Sequence, residues 1–327
     1  MGNILSQTFC IPAPSITEKN CPDQTGKVHI VTGGYTGLGQ ELVKILYQHN
    51  ATIYILGRNE HKASMCIDNV RAAYPDSKGR LEFIFVDFSD LQTIKPAAKS
   101  FLAKEKHLHV LTLNAGVMTP PRDIKTAQGF DMQMGTNCLG PHLLYTFLRP
   151  ILLSTAEQKP NASVRVTWAG SIAIDAISPK PGGIAFLNDT DTPRADLDPE
   201  VMYGQSKVGN LMLANVHGRR DVSQNVLHVC WNPGNLQTEL IRHVSSFQNL
   251  ILKLIMNPPI FGAYTELFAA VSTDLLPQHA GAYIAPWGRI GKVRDDVRTA
   301  CLPVDEGGNG LADRFVGWCE KVTAEFL

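Results

Sequence analysis

From residue 27 onward, short apolar runs alternate with stretches of helical periodicity, and this alternation limits the fold more than any other feature. The apolar runs that predict strands are Val28–Thr32, Thr52–Leu56, Leu81–Val86, Val110–Leu113, Val164–Ala169 and Leu227–Trp231. Strands that are apolar throughout, with helices of about 10–15 residues between them, indicate a parallel sheet covered on both faces. We therefore expect an α/β fold with a doubly wound parallel sheet in three layers and right-handed crossovers.

The length and punctuation of the chain predict its domain organisation. At 327 residues, a chain can bury roughly three-quarters of its unfolded surface. Pro75 is expected to stop the second helix, and Asp90 to cap a third helix that runs to about Lys104. We expect one domain at 26–300. A leader at 1–25 and a C-terminal extension at 301–327 would flank it.

Charge and cysteine usage exclude several classes of function. The 30 basic and 30 acidic side chains balance, which argues against a broad nucleic-acid surface. The seven cysteines form no C-x-x-C pair and no cluster with histidine at zinc spacing, so we expect reduced thiols and no metal site.

The location of the protein is predicted from its apolar runs and its first residues. No run of about 18 apolar residues is present, so we expect no transmembrane helix. The N-terminus lacks the layout of a signal peptide, and we expect a cytoplasmic protein. The segment Met1-Gly2-Asn3-Ile4-Leu5-Ser6 fits the myristoylation pattern M-G-x-x-x-[ST] at Gly2; the alternative is an unmodified, flexible leader.

The segment from Thr32 to Gly39 joins the first strand to the first helix and reads Thr-Gly-Gly-Tyr-Thr-Gly-Leu-Gly. Glycines permit a tight turn and a close approach of the backbone, and the helix N-terminus offers free N–H groups to a pyrophosphate. The loop therefore predicts a dinucleotide cofactor. Its candidate contacts are Gly33, Tyr35, Thr36, Gly37, Leu38 and Gly39.

The end of the second strand bears on which dinucleotide is bound. An NAD site would place Asp or Glu about twenty residues after the glycine loop, whereas this chain has Gly57-Arg58. Arg58 could bind a 2′-phosphate, and Lys62 lies one helical turn further on. We therefore favour NADP(H) over NAD(H), with solvation of the strand end as the alternative role for Arg58. Asp87 could contact the adenine or be an ordinary cap, and Phe88 beside it is a further candidate.

Two Tyr-x-x-x-Lys pairs occur, at 74–78 and 203–207. Proline and glycine place the first pair in a loop, whereas the second opens an apolar helical segment. Residues i and i+4 share a helix face, so the Lys207 ammonium lies one turn from the Tyr203 phenol. A phenol is a weak base near neutral pH, and a neighbouring cation stabilises its phenolate. Ser171, just after the fifth strand, could hydrogen-bond a substrate oxygen.

These features together resemble the short-chain dehydrogenases/reductases of the classical type over about residues 26–290. The likeness is greatest to the retinol-dehydrogenase-like and WW-domain-oxidoreductase-like branch, including its fungal members. The resemblance implies a Rossmann-like fold. It also rests on Asn114-Ala115-Gly116 after the fourth strand and on a P-G-x-x-x-T segment at the nicotinamide. The cofactor contacts implied there are Asn114, Ala115, Gly116, Pro233, Gly234, Leu236 and Thr238.

The resemblance also implies the catalytic roles. Tyr203 would be the acid/base, Lys207 the cation that stabilises it and binds the ribose, Ser171 the residue that orients the carbonyl, and Asn137 part of the proton relay. The family usually has Ser-Ser where this chain has Gly170-Ser171, so Ser171 is the one candidate. The resemblance further implies a substrate lid at about 235–262 within the domain. Its apolar segment 247–261 would be mobile, with core packing as the alternative.

The function expected from this resemblance is NADP(H)-dependent interconversion of an alcohol and a ketone or aldehyde on an apolar small molecule, in secondary metabolism. Two alternatives stay open. One is a non-redox elimination, isomerisation or cyclisation on the same fold, and the other is a cofactor-binding protein without catalysis. The expected partner is a small-molecule substrate rather than a nucleic acid, and a homodimer is left open.

Overall fold

Eight strands of the computed structural model pair into one sheet, within the described residues 2–9, 11–157, 159, 162–188, 190–236 and 256–327. The strands are β1 (Val28–Thr32), β2 (Thr52–Gly57), β3 (Arg80–Phe85), β4 (Val110–Leu113), β5 (Val164–Ala169), β6 (Val226–Trp231), β7 (Ala282–Ala285) and β8 (Arg289–Ile290). Their order is β3-β2-β1-β4-β5-β6-β7-β8, and only the β7–β8 pair is antiparallel. The expected doubly wound parallel sheet is confirmed.

The helices cover both faces of this sheet. They are α1 (Gly2–Thr8), α2 (Gly37–Gln48), α3 (Glu60–Ala73), α4 (Ile94–Leu102), α5 (Met132–Met134), α6 (Gly140–Ala156), α7 (Ala173–Ala176), α8 (Pro199–Asp221), α9 (Pro259–Val271), α10 (Asp295–Cys301) and α11 (Leu311–Thr323). One buried apolar cluster joins the sheet to α4, α6 and α8. A second joins it to α2, α3 and α9. The result is three layers, because each sheet face buries its own set of apolar side chains.

The predicted strands are all present, with ends that differ by at most one residue. The sequence reading did not single out β7 and β8, since runs of four and two residues are too short to stand out. The second helix ends at Ala73, before Tyr74-Pro75, as expected.

The helix expected between Asp90 and about Lys104 begins and ends at other residues than predicted. The Asp90 carboxylate accepts a hydrogen bond from the N–H of Gln92, but the helix that follows first is a short 3₁₀ turn. The α-helix α4 then begins at Ile94 and ends at Leu102, two residues before the expected end. A tighter turn at a helix N-terminus is common, and the Asp90 side chain satisfies its first free N–H group.

The segments before β1 and after β8 contain helices of their own. Residues 2–8 form α1, and the side chain of Gln7 within it is 1% exposed. At the other end, α11 packs on α8, with Phe315 against Gly209. No helix within the described residues is long and apolar enough to cross a membrane. Of the expected lid, residues 237–255 lie outside the described residues, while α9 begins at Pro259.

Candidate active site

A cavity of about 820 Å³ lies at the carboxyl ends of the strands. The strand order reverses between β1 and β4, and open α/β sheets bind their ligands at this kind of switch point. The expected site residues that line the cavity are Gly33, Tyr35, Thr36, Gly37, Leu38, Gly39, Arg58, Lys62, Asp87, Phe88, Asn114, Ala115, Gly116, Ser171, Tyr203, Pro233, Gly234 and Leu236. Asn137 and Lys207 lie behind its wall, and Thr238 lies outside the described residues.

The glycine loop makes the tight turn that the sequence predicts. Gly33 and Gly37 have φ of +67° and +54°, which residues with a Cβ rarely adopt. A Cβ on Gly39 would lie 2.5 Å from Nδ2 of Asn114. Thr36 precedes α2 in an extended conformation, and its side chain makes no capping hydrogen bond. The N–H groups of the first turn of α2 are therefore available to an anionic group in the cavity.

Asn114 holds the ends of two strands together. Its Nδ2 donates to the carbonyl of Thr32 at 2.8 Å, and the N–H of Ala115 donates to Oγ1 of Thr32 at 2.9 Å. Because Thr32 ends β1 and Asn114 follows β4, these bonds fix the glycine loop relative to the loop after β4. The two walls of the cavity are thereby held at one spacing.

The cavity wall at the end of β2 carries positive charge. A Cβ on Gly57 would lie 2.4 Å from the ring of Tyr35, so this position has no room for a carboxylate side chain. The next residue, Arg58, is exposed at the cavity, and so is Lys62 in the first turn of α3. Asp87 accepts hydrogen bonds from both the N–H and the hydroxyl of Ser89. Asp87 therefore stabilises a turn after β3 while it also lines the cavity.

Tyr203 and Lys207 share a face of α8. The Lys207 Nζ lies 5.5 Å from the centroid of the Tyr203 ring and donates to the carbonyl of Ala169 at 3.1 Å. Lys207 is 5% exposed, so solvent screens its charge only weakly. The phenol itself is half-buried and lines the cavity. This places a fixed positive charge beside the one phenol of the expected catalytic set.

Ser171 follows β5 and lines the same cavity as the glycine loop. Its Oγ accepts a hydrogen bond from the N–H of Ala173 at 3.2 Å. Gly170 takes the place of the first serine of the family's pair, and a Cβ there would lie 2.8 Å from Sγ of Cys230. The departure from Ser-Ser thus has a steric reason, and Ser171 keeps its position at the cavity.

Asn137 lies in a π-helical turn at Gly135–Leu139, between α5 and α6. Its side chain accepts from the N–H of Val117 at 2.8 Å and donates to the carbonyl of Val117 and to Oγ of Ser206, both at 3.0 Å. Asn137 therefore ties the loop after β4 to α8. Interruptions of this kind in an α-helix often occur at functional sites.

The rest of the cavity wall includes residues that the sequence reading missed. They are mostly apolar, with one carboxylate and two hydroxyls, namely Val117, Met118, Thr119, Met132, Thr136, Ile172, Ala173, Ala176, Ile177 and Glu200. Met256, which also lines the cavity, lies in the expected lid at about 235–262. Glu200 could have been found, because it lies three residues before Tyr203 on the same helix face. The apolar members carry no sequence signal, since they come from loops and from the short helices α5 and α7, whose positions depend on the tertiary fold.

Comparisons with known proteins agree with this geometry. A family model described as short chain dehydrogenase matches residues 27–163. A short-chain dehydrogenase/reductase of Phomopsis amygdali is 44% identical over 334 residues, which cover 100% of this chain and 98% of that protein. The short-chain dehydrogenase/reductase pkfC of Emericella nidulans is 42% identical and covers 88% of this chain and 91% of its own.

Among solved structures, NADPH-bound carbonyl reductase from chicken fatty liver superposes with a TM-score of 0.63 at 18% sequence identity. The superposition covers 86% of this chain and 100% of that one. At this identity the likeness is evidence for the fold alone. The sheet order and the layers described above are therefore those of a known architecture.

Proposed function

Because the chain belongs to the short-chain dehydrogenase/reductase family of oxidoreductases, we propose that it uses NADP(H) to interconvert an alcohol and a ketone or aldehyde. The observation that carries the proposal is the convergence of Tyr203, Ser171 and the glycine loop on one cavity. The substrate side of that cavity is mainly apolar, so the proposed substrate is an apolar small molecule.

The residues around the cavity suit a dinucleotide that carries a 2′-phosphate. The first turn of α2, which begins at Gly37, would bind the pyrophosphate through backbone N–H groups. Arg58 and Lys62 would bind the 2′-phosphate, and Lys207 the ribose next to the nicotinamide. The Pro233–Gly234 segment would contact the nicotinamide itself. When bound, the nicotinamide supplies the hydride for reduction and takes it up in oxidation.

The groups that transfer the proton and orient the substrate oxygen are side chains of the protein. In reduction, the Tyr203 hydroxyl donates its proton to the carbonyl oxygen, and in oxidation the phenolate takes the proton of the alcohol. Ser171 Oγ hydrogen-bonds the same oxygen and orients it. The buried Lys207 ammonium stabilises the phenolate, since opposite charges interact more strongly where water is excluded.

Asn137, which lies behind the cavity wall, supports the arrangement of Tyr203 and Lys207. Its contacts with Val117 and Ser206 hold the loop after β4 against α8, the helix of Tyr203 and Lys207. In the proposed reaction Asn137 also belongs to the path by which a proton returns to Tyr203 through Lys207. The proposed role requires Asn137 to reach α8, and the π-helical turn brings it there.

The proposal is tested by the substitution Tyr203→Phe. We expect the purified protein to oxidise NADPH in the presence of carbonyl compounds and to give products heavier by two hydrogens. Tyr203→Phe removes the proton donor, so turnover should fall at least about a hundredfold, while the affinity for NADPH stays within about twofold. The measurement is the loss of nicotinamide absorbance, with cofactor fluorescence for affinity.

The matched control is Tyr74→Phe, which removes the hydroxyl of the other Tyr-x-x-x-Lys pair. Tyr74 follows α3 and does not line the cavity, so this variant should keep wild-type turnover. Equal turnover of Tyr203→Phe and the wild type would refute the assignment. A wild-type product of unchanged mass would point instead to a non-redox reaction.

A further inference from the structure

The helix α1 has a buried side chain that the proposed reaction does not use. Gln7 is 1% exposed and makes hydrogen bonds to three residues that lie at least 168 positions away in the sequence. Two of these residues directly adjoin segments that line the cavity. A single amide thus links the two sides of the candidate site.

The first link runs to the segment that carries Ser171. Gln7 Nε2 donates to Oδ2 of Asp175 at 3.2 Å, and Asn3 Nδ2 donates to the same oxygen at 2.5 Å. Asp175 lies in α7, which begins two residues after Ser171. Its other oxygen accepts from the N–H of Arg294 at 2.8 Å. Asp175 therefore anchors α7 to α1 and to the segment after β8.

The second link runs to the segment at the nicotinamide end. Gln7 Oε1 accepts from Nδ2 of Asn232 at 2.9 Å and from the hydroxyl of Tyr283 at 2.8 Å. Asn232 directly precedes Pro233, and its Oδ1 accepts from the N–H of Gly234 at 3.0 Å. The conformation of the Pro233–Gly234 segment is thereby connected to Gln7 through one side chain.

The orientation of the Gln7 amide follows from its neighbours. Because Asn232 Oδ1 already accepts from a backbone N–H, its Nδ2 must face Gln7, which requires an oxygen of Gln7 on that side. The Gln7 NH₂ group then faces the Asp175 carboxylate, which can only accept when ionised. One carboxamide has both a donor and an acceptor at this spacing, and neither an alkyl chain nor a carboxylate provides both.

We propose that Gln7 is a positioning residue of the active site, which sets the spacing between the Ser171 segment and the Pro233–Gly234 segment. This inference rests on the proposed function. The helix α1 is held in place for this role by Asn3 and by Arg289, whose NH2 donates to the carbonyl of Ser6 at 2.5 Å. The N-terminal helix is then a part of the catalytic unit rather than a leader.

The test compares Gln7→Ala with Ser6→Ala, a matched control in the same helix. The Ser6 side chain is exposed, and among the residues that the structure describes its hydroxyl donates to the carbonyl of Asn3 in the same helix. Gln7→Ala should lower the single-turnover rate of NADPH oxidation about tenfold, because small misplacements of reacting groups are costly. The affinity of Gln7→Ala for adenosine 2′,5′-bisphosphate, a ligand that probes the cavity wall near Arg58, should equal that of the wild type. Ser6→Ala should match the wild type in both the single-turnover rate and this affinity.

A second variant separates positioning from simple loss of stability. In Gln7→Glu one carboxyl oxygen still accepts from Asn232 and Tyr283. The other oxygen takes the place of the NH₂ donor and faces the Asp175 carboxylate. The titratable and charged groups around residue 7 and Asp175 are the neutral phenol of Tyr283 and the guanidinium groups of Arg289 and Arg294. When the pH falls and one proton is shared by the two carboxyls, the donor is restored. The rate of this variant relative to the wild type should therefore rise as the pH is lowered, and that of Gln7→Ala should stay constant.

The inference is overturned if Gln7→Ala, corrected for the folded fraction, turns over at the wild-type rate. It is also overturned if the relative rate of Gln7→Glu does not depend on pH. If the wild type itself fails to oxidise NADPH with any carbonyl compound, the proposed function is wrong. If the wild type turns over and Gln7→Ala does so at the same rate, only the positioning role of Gln7 is wrong.

Discussion

At the scale of single residues, the candidate site depends on close approaches that side chains would prevent. A Cβ on Gly116 would lie 2.9 Å from Oδ1 of Asn137 and 3.6 Å from Nζ of Lys207. Gly116 therefore allows the loop after β4 to approach the buried polar groups behind the cavity. The N-A-G motif at 114–116 thus has two steric requirements, since Asn114 likewise needs the glycine at 39.

The substitution Gly116→Ala tests the first of these requirements. The added methyl group would displace the side chain of Asn137, which lies next to Lys207, so we expect turnover with NADPH to fall about ten- to a hundredfold. Affinity for adenosine 2′,5′-bisphosphate should not change, because the displaced side chain lies away from Arg58. Steady-state rates and ligand titration measure the two effects.

The control for this variant is Gly317→Ala in α11. A Cβ on Gly317 has no neighbour within 4 Å among the described residues, and alanine in a helix stabilises by roughly 0.5–1 kcal/mol relative to glycine. We expect wild-type turnover and a slightly higher melting temperature. If Gly116→Ala behaves like Gly317→Ala, the steric account of the N-A-G motif is wrong.

Arg58 is the residue on which the proposed cofactor preference depends. It is exposed at the cavity, next to a glycine that leaves no room for a carboxylate. Hydrogen bonds to charged groups contribute about 1.5–3 kcal/mol. Arg58→Ala should therefore lower kcat/KM with NADPH about ten- to a hundredfold, while kcat/KM with NADH changes little. The ratio of the two constants is the measurement.

Arg298→Ala removes an equal charge from an exposed side chain that does not line the cavity. This control should leave both constants unchanged. A wild type that prefers NADH, or an unchanged NADPH constant in Arg58→Ala, would contradict the assignment of Arg58 and leave it the role of solvating the strand end.

At the scale of secondary structure, α8 combines a functional end with a structural end. Tyr203 and Lys207 lie near its start, while Asp221 closes it in a buried network with Tyr145, Arg149 and His228. Burial alone would raise the pKa of the Asp221 carboxyl, but hydrogen bonds from His228, Arg149 and Tyr145 outweigh it and lower the pKa to about 2. The network fixes α8 to α6 and β6.

The lowered pKa predicts how the stability of the fold depends on pH. An aspartate whose pKa is lower in the folded state stabilises the fold above its unfolded pKa of about 4, and this contribution is lost as the pH falls towards the folded value. The free energy of unfolding of Asp221→Asn should therefore be lower than that of the wild type near neutral pH. The difference should shrink between about pH 4 and pH 2.

Urea unfolding over this pH range measures the effect. Asp305→Asn is the control, since Asp305 is exposed in a 3₁₀ turn. Its difference from the wild type should stay small at every pH. A constant difference for Asp221→Asn between pH 7 and pH 2 would show that the ionised carboxylate does not stabilise the fold.

Elements with a regular apolar pattern could be predicted from the sequence, and elements defined by long-range contacts could not. The strand from Val164 to Ala169 is buried throughout, so its pattern is complete in the sequence. The helix α1 has no such pattern, because the polar Gln7 is the one buried residue among those of α1 whose burial is described. The π-helical turn at Asn137 was likewise unpredictable, since its geometry follows from bonds to Val117 and Ser206.

At the scale of the whole molecule, the parallel sheet brings distant segments to one edge. Chemistry-bearing residues at the ends of β1, β2, β4 and β5 could be predicted from motifs, because carboxyl ends of parallel strands meet there. The apolar residues that line the rest of the cavity could not, since they come from loops and from the short helices α5 and α7, which show no periodicity. For the same reason the fold and the reaction class follow from the sequence more readily than the substrate.

The central claim is that hydride passes between a nicotinamide and a carbonyl carbon in the cavity between Tyr203 and Ser171. The most direct test supplies the protein with NADPH that carries deuterium at the transferable position of C4, together with a panel of apolar ketones and aldehydes. We expect an alcohol with one deuterium on the former carbonyl carbon, and at least about a hundredfold less of it in the same time from Tyr203→Phe. Product alcohol without deuterium, or no alcohol from any member of the panel, would contradict the claim.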